Sequence, residues 1–303
     1  MPLLHALVLG ITQGFSEYLP ISSSGHLRLV PWLLAWDDFA GHKDLELAFD
    51  VSLHLGTLAG AVAYFRRDLV RLARGGLLVL RSRRSPVPVG AAETAVHPVP
   101  EDAPDPIMHM TPAEDGRLAW LLLLSAVPAA AIGAALESTF DKLGETEWLI
   151  GVFLIVFGLV LLWADSLGGR RGAETFRARD ALTLGAAQAL ALAPGVSRSG
   201  ATITAARWRG FSRDSAARVS FLMSLPITGG AVAYKMVDLF SGGGIPPGFG
   251  GAFLVGILAS AVTGWVAVWG TLHLVRNHTF KPFVVYRVLA GTAVILVAAS
   301  SFR

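Results

Sequence analysis

The sequence predicts an all-α polytopic membrane protein with two inverted-topology repeats, each a re-entrant helical hairpin followed by three transmembrane helices. Three observations lead to this fold class: an apolar composition, a polar motif that recurs at a fixed spacing, and basic residues gathered in alternate loops. We predict a single integral membrane domain over residues 1–303. Repeat one covers 1–165 and repeat two covers 178–303.

The composition is that of a membrane protein. Hydrophobic residues make up 53% of the 303 residues and charged residues only 16%, whereas soluble proteins carry about 25% charged residues. The mean hydropathy is +0.56, and several apolar runs reach the ~20 residues that span a bilayer. The absence of cysteine excludes disulfides, iron–sulfur centres and thiolate catalysis. Residues 1–12 lack a basic n-region, so we expect no cleavable signal peptide.

A polar motif interrupts this apolar sequence twice. Gln13 is followed nine residues later by SSSG at 22–25, and Gln188 is followed nine residues later by SRSG at 197–200, an offset of 175 residues. Polar and glycine-rich backbone at membrane depth is costly unless it lines a protein cavity. The motif therefore predicts a functional site made by two segments.

The remaining segments follow in a regular order. Residues 2–36 form the first predicted hairpin, and residues 81–116, rich in Pro, Ala and charge, form a predicted disordered cytoplasmic insertion. The predicted spans of the first half are 47–65, 118–136 and 148–164. In the second half GAVAY at 60–64 recurs at 230–234, which indicates a duplication.

Charge gives the orientation. Because each repeat contains an odd number of spans, the second copy must be inserted upside down. Most of the 25 Lys and Arg residues fall on one side when the loop after residue 65 is cytoplasmic, and this distribution explains the net charge of +3 better than nucleic-acid binding does. Both termini are then predicted to be extracytoplasmic, and the two hairpin tips can meet near the membrane midplane.

Arg198 is the principal candidate in the second motif. A guanidinium beside Ser197, Ser199 and Thr202 has the composition of an oxyanion cradle, since arginine binds phosphate in a bidentate manner. The plainer alternative is an arginine that pairs with Glu17 only for structure. The surplus hydroxyl groups favour the anion site.

The first motif supplies candidate acid–base groups. Glu17 and His26 could hold a metal or transfer protons near neutral pH, and Gln13 lies one helical turn before Glu17. The hydroxyls of the first motif include a candidate nucleophile, although serine runs are also ordinary turn formers; they belong to Ser22, Ser23 and Ser24. Asp50 and His54, spaced i, i+4 on the first span, form a weaker candidate pair.

The two motifs, QGFSEYLPISSSGHL and PGVSRSGAT, resemble the signatures of the bacterial undecaprenyl-diphosphate phosphatases of the bacitracin-resistance type. The resemblance covers nearly the whole chain. It implies a membrane enzyme that hydrolyses undecaprenyl diphosphate to the monophosphate, which recycles the lipid carrier of peptidoglycan synthesis and confers bacitracin resistance. It also implies a location in the bacterial inner membrane, among membrane lipids.

The resemblance assigns roles to particular residues. It implies a divalent cation, Mg or Ca, at Glu17, and catalytic roles for Glu17, Ser23, His26 and Arg198. Substrate binding would involve Gln13, Ser22, Ser24, Ser197, Ser199 and Thr202. One departure stands out: Gln13 occupies a position where many members have a second Glu, and Gln is the weaker metal ligand.

Two other functions have to be weighed against a phosphatase. A transporter or flippase of polyprenyl phosphate would use a similar inverted-repeat cavity, whereas an ion channel fits the Ser, His and Arg constellation poorly. Small-residue patterns of the GxxxG type are compatible with a homodimer, without locating an interface.

Overall fold

The computed structural model describes residues 1–39, 42–82, 110–144, 146–241 and 244–300. Within these ranges the chain is almost entirely helical, with a short 3-10 helix at Ala173–Thr175 and one isolated bridge between Arg171 and Phe211. The α-helices of the described residues are α1 (Leu3–Tyr18), α2 (Ser23–Leu34), α3 (Lys43–Tyr64), α4 (Arg66–Ser82), α5 (Pro112–Gly144), α6 (Glu147–Ser166), α7 (Ala178–Leu190), α8 (Arg198–Trp208), α9 (Arg213–Ser241), α10 (Gly250–Asn277) and α11 (Lys281–Ala299).

Six of the described helices, α3, α5, α6, α9, α10 and α11, are long and apolar enough to cross a membrane. They are the three spans expected in each half, so the predicted all-α, multi-span class is confirmed. Helix α5 is longer than its predicted span. It continues through Gly144, because the segment from residue 137 keeps good helix formers such as Glu, Lys and Leu.

The predicted insertion 81–116 was too wide at both ends. Helix α4 continues to Ser82, and α5 already begins at Pro112, a residue well suited to a first helical turn. Residues 83–109, with His97 and His109, lie outside the described residues. The basic segment after residue 65 was also wrongly expected to be a loop. It forms α4, whose Leu72 is buried while Arg66 and Arg67 are exposed.

The two motifs form two short helical hairpins, α1–α2 and α7–α8, with the same local geometry. The helix after each turn starts with a serine N-cap that has an unusual positive φ, 81° at Ser22 and 75° at Ser197. The Ser22 hydroxyl accepts a hydrogen bond from the Gly25 amide, and the Ser197 hydroxyl accepts one from the Gly200 amide. The repeated sequence motif therefore corresponds to a repeated structure.

Each hairpin packs against the other half of the chain. Helix α1 lies on α10, and α7 lies on α5, while α3 crosses α10 and α6 pairs with α11. The contacts are close: a Cβ added at Gly10 would lie 2.6 Å from the Gly256 carbonyl oxygen, so the helices approach at backbone distance. This reciprocal packing brings the two hairpin turns together inside the helical bundle.

Asp180 closes the base of the second hairpin. Its buried carboxylate accepts hydrogen bonds from Arg171 Nη2 (2.7 Å), Arg209 Nε (2.8 Å) and the Arg177 amide (3.0 Å). Burial opposes ionisation, but these hydrogen bonds outweigh it and hold the Asp180 pKa below its ordinary value. The beginning of α7 is thereby tied to the residue after α8.

Candidate active site

Glu17, near the end of α1, is the centre of a polar cluster. Its side chain is 3% exposed. Oxygen Oε2 accepts a 2.6 Å hydrogen bond from the Ser23 hydroxyl and a 3.1 Å hydrogen bond from Gln13 Nε2. The chain makes this possible because Leu19 and Pro20 break the helix, so that Ser23 at the start of α2 turns back toward Glu17.

Arg198 brings the second hairpin to Glu17. It is the first residue of α8, and its guanidinium makes an ion pair with Glu17 Oε1 through Nη2 and a hydrogen bond to the Thr228 hydroxyl through Nη1. The predicted meeting of the two motifs is therefore present in the structure. This ion pair is compatible with both interpretations of Arg198, as part of an anion site and as a purely structural partner of Glu17.

The remaining hydroxyls of the second motif are engaged within the fold. Ser199 donates to the Leu19 carbonyl (3.2 Å) and lies 3.3 Å from the Ser197 hydroxyl. Thr202 donates to the Arg198 carbonyl (2.8 Å) and also meets the Ser220 hydroxyl. These contacts shape the backbone around Arg198.

Ser22 and Ser23 differ in what they can do. The Ser22 hydroxyl is fully buried and accepts from the Gly25 amide and, at 3.0 Å, from the Gly195 amide of the opposite hairpin. Ser23 is half-buried and donates to a carboxylate. Ser24 is half-buried in the first turn of α2. Of the three, Ser23 has the hydrogen bond expected of an activated nucleophile.

His26 points its ring at α11. Its Nδ1 donates to the Ser22 carbonyl at 2.7 Å, which leaves Nε2 of the neutral ring to accept from the Tyr286 hydroxyl at 2.6 Å. The two rings are also stacked, with centroids 5.6 Å apart. These hydrogen bonds connect His26 to Tyr286 rather than to Glu17.

His54 reaches the site from α3. Its Nε2 lies 3.7 Å from Glu17 Oε2, and its Nδ1 donates to the Asp50 carbonyl oxygen at 2.9 Å. The contact between Asp50 and His54, which the i, i+4 spacing suggested as a pair of side chains, is thus a hydrogen bond from the His54 side chain to the Asp50 backbone. It positions His54 as a further neighbour of Glu17.

The donor set suits a hard divalent cation better than a soft one. Gln13 is fully buried, and its Oε1 has no hydrogen-bond partner within the described residues. Gln13 lies one helical turn before Glu17 and donates to it through Nε2, and carbonyl and carboxylate oxygens are the ligands that Mg²⁺ and Ca²⁺ prefer. Glu17 and Gln13 therefore fit such an ion, although the described residues contain no group of three or more acidic or imidazole side chains arranged for a metal.

Two cavities differ in chemistry. A narrow void beside the site is bordered by Glu17, Arg198, Ser199, Ser220 and Ser224. A larger cavity of about 350 Å³ lies between the start of α3 and the end of α9. Most of its lining is apolar, and its charged residues are Asp44 and Lys235. The polar groups that meet at Glu17 are not part of this larger cavity.

Several residues around the site were missed by sequence reasoning. Thr228 and Ser220 carry no distinguishing signal, because single hydroxyls are common in apolar helices. Arg287 did carry one: it is a lone arginine within the apolar run of α11, where ionised residues are rare and usually have a role. Its neighbour Tyr286 could have been considered with it.

Comparison with known proteins agrees with the architecture. Residues 6–293 match the family model described as bacitracin resistance protein BacA. The chain is 45% identical to an undecaprenyl-diphosphatase of Pelobacter propionicus over 299 residues, which are 98% of this chain and 97% of the relative. It is 42% identical to an undecaprenyl-diphosphatase of Geobacter metallireducens over 295 residues, 97% of each chain.

A third relative is the undecaprenyl-diphosphatase of Geobacter sulfurreducens, with 43% identity over 297 residues, 97% of this chain and 98% of that one. Similarity of this extent, together with six apolar helices, makes the protein a multi-pass membrane protein. The chain belongs to the bacitracin resistance protein BacA family.

Proposed function

We propose that this protein is a membrane phosphatase that hydrolyses undecaprenyl diphosphate to undecaprenyl phosphate and inorganic phosphate. The observation that carries the proposal is the cluster of Glu17, Ser23 and Arg198 between the two hairpins. The cluster brings together a carboxylate, a hydroxyl that is hydrogen-bonded to it and a guanidinium. The relatives that match most of the chain are named for this activity. Recycling of the carrier lipid and bacitracin resistance would follow.

Arg198 would bind the diphosphate and stabilise the charge of the transferred phosphoryl group. Phosphoryl transfer depends chiefly on positioning and electrostatic stabilisation, and an arginine presents a fork of donors suited to phosphate oxygens. In the structure this fork is turned to Glu17 and Thr228. Substrate phosphate would take over part of these hydrogen bonds.

Glu17 and Ser23 would carry out the chemical step. With Ser23 as nucleophile, its oxygen bonds to the terminal phosphorus, its proton passes to Glu17, and the bond to the bridging oxygen breaks to release undecaprenyl phosphate. Water then hydrolyses the phosphoserine. The 2.6 Å distance from Ser23 Oγ to Glu17 Oε2 supports this proton transfer. Direct attack by water, with Glu17 as base, gives the same products.

His26 would act at the substrate side of the same cluster. Its ring is held by hydrogen bonds to the Ser22 carbonyl and the Tyr286 hydroxyl. Nε2 would therefore have to give up its hydrogen bond to Tyr286 before it could exchange a proton with the substrate. Glu17 and Gln13 would hold a Mg²⁺ or Ca²⁺ ion, whose charge would help to neutralise the diphosphate. We place the site in the inner membrane with both hairpins re-entrant and both termini extracytoplasmic.

Phosphate release from undecaprenyl diphosphate by the purified protein in detergent with Mg²⁺ tests the function. We expect Arg198→Ala to lower the rate about 100- to 1000-fold, the loss typical of removing a group that stabilises developing charge. Glu17→Gln should cause a comparable loss. Arg179→Ala, at an exposed arginine of α7, is the matched control and should keep the rate. Near-normal release by Arg198→Ala would contradict the proposal.

Transport of the lipid monophosphate is the second candidate. The reciprocal packing of the two hairpins against opposite halves is the observation in its favour, because transporters built from repeats place their sites between such halves. Detergent removes sidedness, so the same experiment separates the two. Release of phosphate requires an enzyme, whereas binding of the lipid without turnover favours a carrier.

A further inference from the structure

Arg287 is a buried arginine whose guanidinium is hydrogen-bonded to backbone carbonyl groups. The residue lies on α11 with a relative exposure of 0%, and the described residues place no acidic side chain within salt-bridge distance of its guanidinium. A buried guanidinium is costly unless its N–H donors are satisfied. Its donors are directed to backbone carbonyl groups instead.

These carbonyl groups belong to three different segments. Nη1 donates to the Pro20 carbonyl (3.1 Å) in the turn of the first hairpin. Nη2 donates to the carbonyls of Gly195 (2.9 Å) and Val196 (3.0 Å) in the turn of the second hairpin. Nε donates to the Leu154 carbonyl (2.9 Å) of α6. One side chain therefore bonds both hairpin turns and the helix beneath them.

The bonded carbonyls are close in sequence to the reacting groups. Pro20 lies three residues after Glu17 and three before Ser23, and Val196 lies two residues before Arg198. The turns have further links in the Ser22 hydroxyl to the Gly195 amide and the Ser199 hydroxyl to the Leu19 carbonyl. Arg287 connects both turns to the surrounding helices through several hydrogen bonds at once.

We propose that Arg287 is a positioning residue that holds the two hairpin turns in register, so that Glu17 and Ser23 of one turn face Arg198 of the other. Turn carbonyls lack helical partners, and a planar guanidinium with five donors can serve carbonyls that diverge in direction. Lysine cannot replace it, because its donors radiate from a single atom. The inference rests on the proposed function for its kinetic part alone.

Spin labels measure the register directly. Because the chain has no cysteine, Ile21→Cys and Leu192→Cys provide one label in each turn without background. With Arg287 present we expect a single narrow distance distribution between the labels. Arg287→Lys should broaden it. A broad or multiple distribution in the protein that retains Arg287 would overturn the proposal, whether or not any variant folds.

Kinetics separate positioning from folding. We expect Arg287→Lys to lower kcat for phosphate release about 100-fold, the loss that a misplacement of about 1 Å can cause, with a smaller change in KM. Arg287→Gln serves if the buried lysine prevents folding, since it removes the charge and keeps two N–H donors. Rates are compared at a temperature below each variant's unfolding midpoint.

Arg207→Lys is the matched control. Arg207 is also a buried arginine, 2% exposed, but it pairs with the Asp165 carboxylate and donates to the carbonyls of Asp165 and Phe211, away from the turns. It should lower stability while leaving the label distances and kcat near normal. Normal kcat and unchanged distances in Arg287→Lys would overturn the inference. If the unsubstituted protein releases no phosphate, the proposed function fails, and the distances still test the clamp.

Discussion

At the scale of residues, the two motifs have kept their geometry and diverged in their chemistry. Ser22 and Ser197 both cap a helix with a positive φ. At the offset of 175 residues, however, Leu192 is the sequence equivalent of Glu17, and Arg198 is the equivalent of Ser23. One turn carries an acidic side chain and the other a basic one. The two turns together therefore make one composite site, since each supplies a group that the other lacks.

Gln13 allows a test of metal binding at this scale. We expect Gln13→Glu to lower the Mg²⁺ concentration for half-maximal phosphate release about tenfold, equivalent to about 1.4 kcal/mol, because it adds a charged ligand where an unpartnered amide oxygen now lies. A chelator should abolish activity in both proteins. The measurement is a titration of activity with Mg²⁺ after chelation.

Gln188→Glu is the matched control, since it makes the same substitution in the second hairpin, where Gln188 is also buried. It should not change the Mg²⁺ dependence. Activity that persists fully in the chelator would remove the metal from the mechanism, and an unchanged titration for Gln13→Glu would remove Gln13 from the metal site.

At the scale of elements, helix contacts at glycine hold the hairpins inside the bundle. The small residues that were compatible with a homodimer are used within the chain: Gly10 meets Gly256, Gly56 meets the Ile257 carbonyl, and Gly151 meets Gly291. These contacts give no support to a dimer interface. They bring α1 and α3 so close to α10 that Glu17 and His54 face each other.

Gly10→Ala tests this contact. The added Cβ would lie 2.6 Å from the Gly256 carbonyl oxygen, so α1 and α10 must separate. We expect the free energy of unfolding to fall by about 1–3 kcal/mol, as measured by denaturant titration in detergent. Gly230→Ala is the control, because a Cβ there meets nothing within 4 Å and alanine favours the helix. Equal stability of the two variants would contradict the close contact.

At the scale of the whole molecule, the hairpin of each half packs against a helix of the other half. Helix α1 of the first half packs on α10 of the second, and α7 of the second packs on α5 of the first. This reciprocal packing is what the predicted duplication leads us to expect. Their opposite orientation in the membrane stays a prediction from the odd number of spans and the position of the basic residues.

Cysteine labelling tests the inversion. Arg74 on α4 follows the first span of repeat one, and Ile245 follows the first span of repeat two, and both are exposed. We expect a membrane-impermeant maleimide to label Ile245→Cys in spheroplasts, and Arg74→Cys only after the membrane is disrupted. The cysteine-free parent controls for background. Labelling of both positions from the same side would show that the repeats are parallel.

The sequence predicts the membrane class, the six spans and the two motifs, and it offers the pairing of Glu17 with Arg198 as the plainer alternative to an anion site. These follow from local properties: hydropathy, spacing and charge can be counted along the chain. It failed at α4 and at the length of α5, where helix propensity outweighed the polar composition that suggested loops.

Which polar groups are in contact depends on the packing of the helices. Ser23, and not Ser22, is hydrogen-bonded to Glu17, and His26 is hydrogen-bonded to Tyr286. His54, Thr228 and Arg287 also contact residues of the two hairpins. The physical reason is that these contacts join residues far apart in sequence, through side-chain directions set by helix packing. A pattern along the chain records which groups are available, whereas packing in three dimensions decides which of them meet.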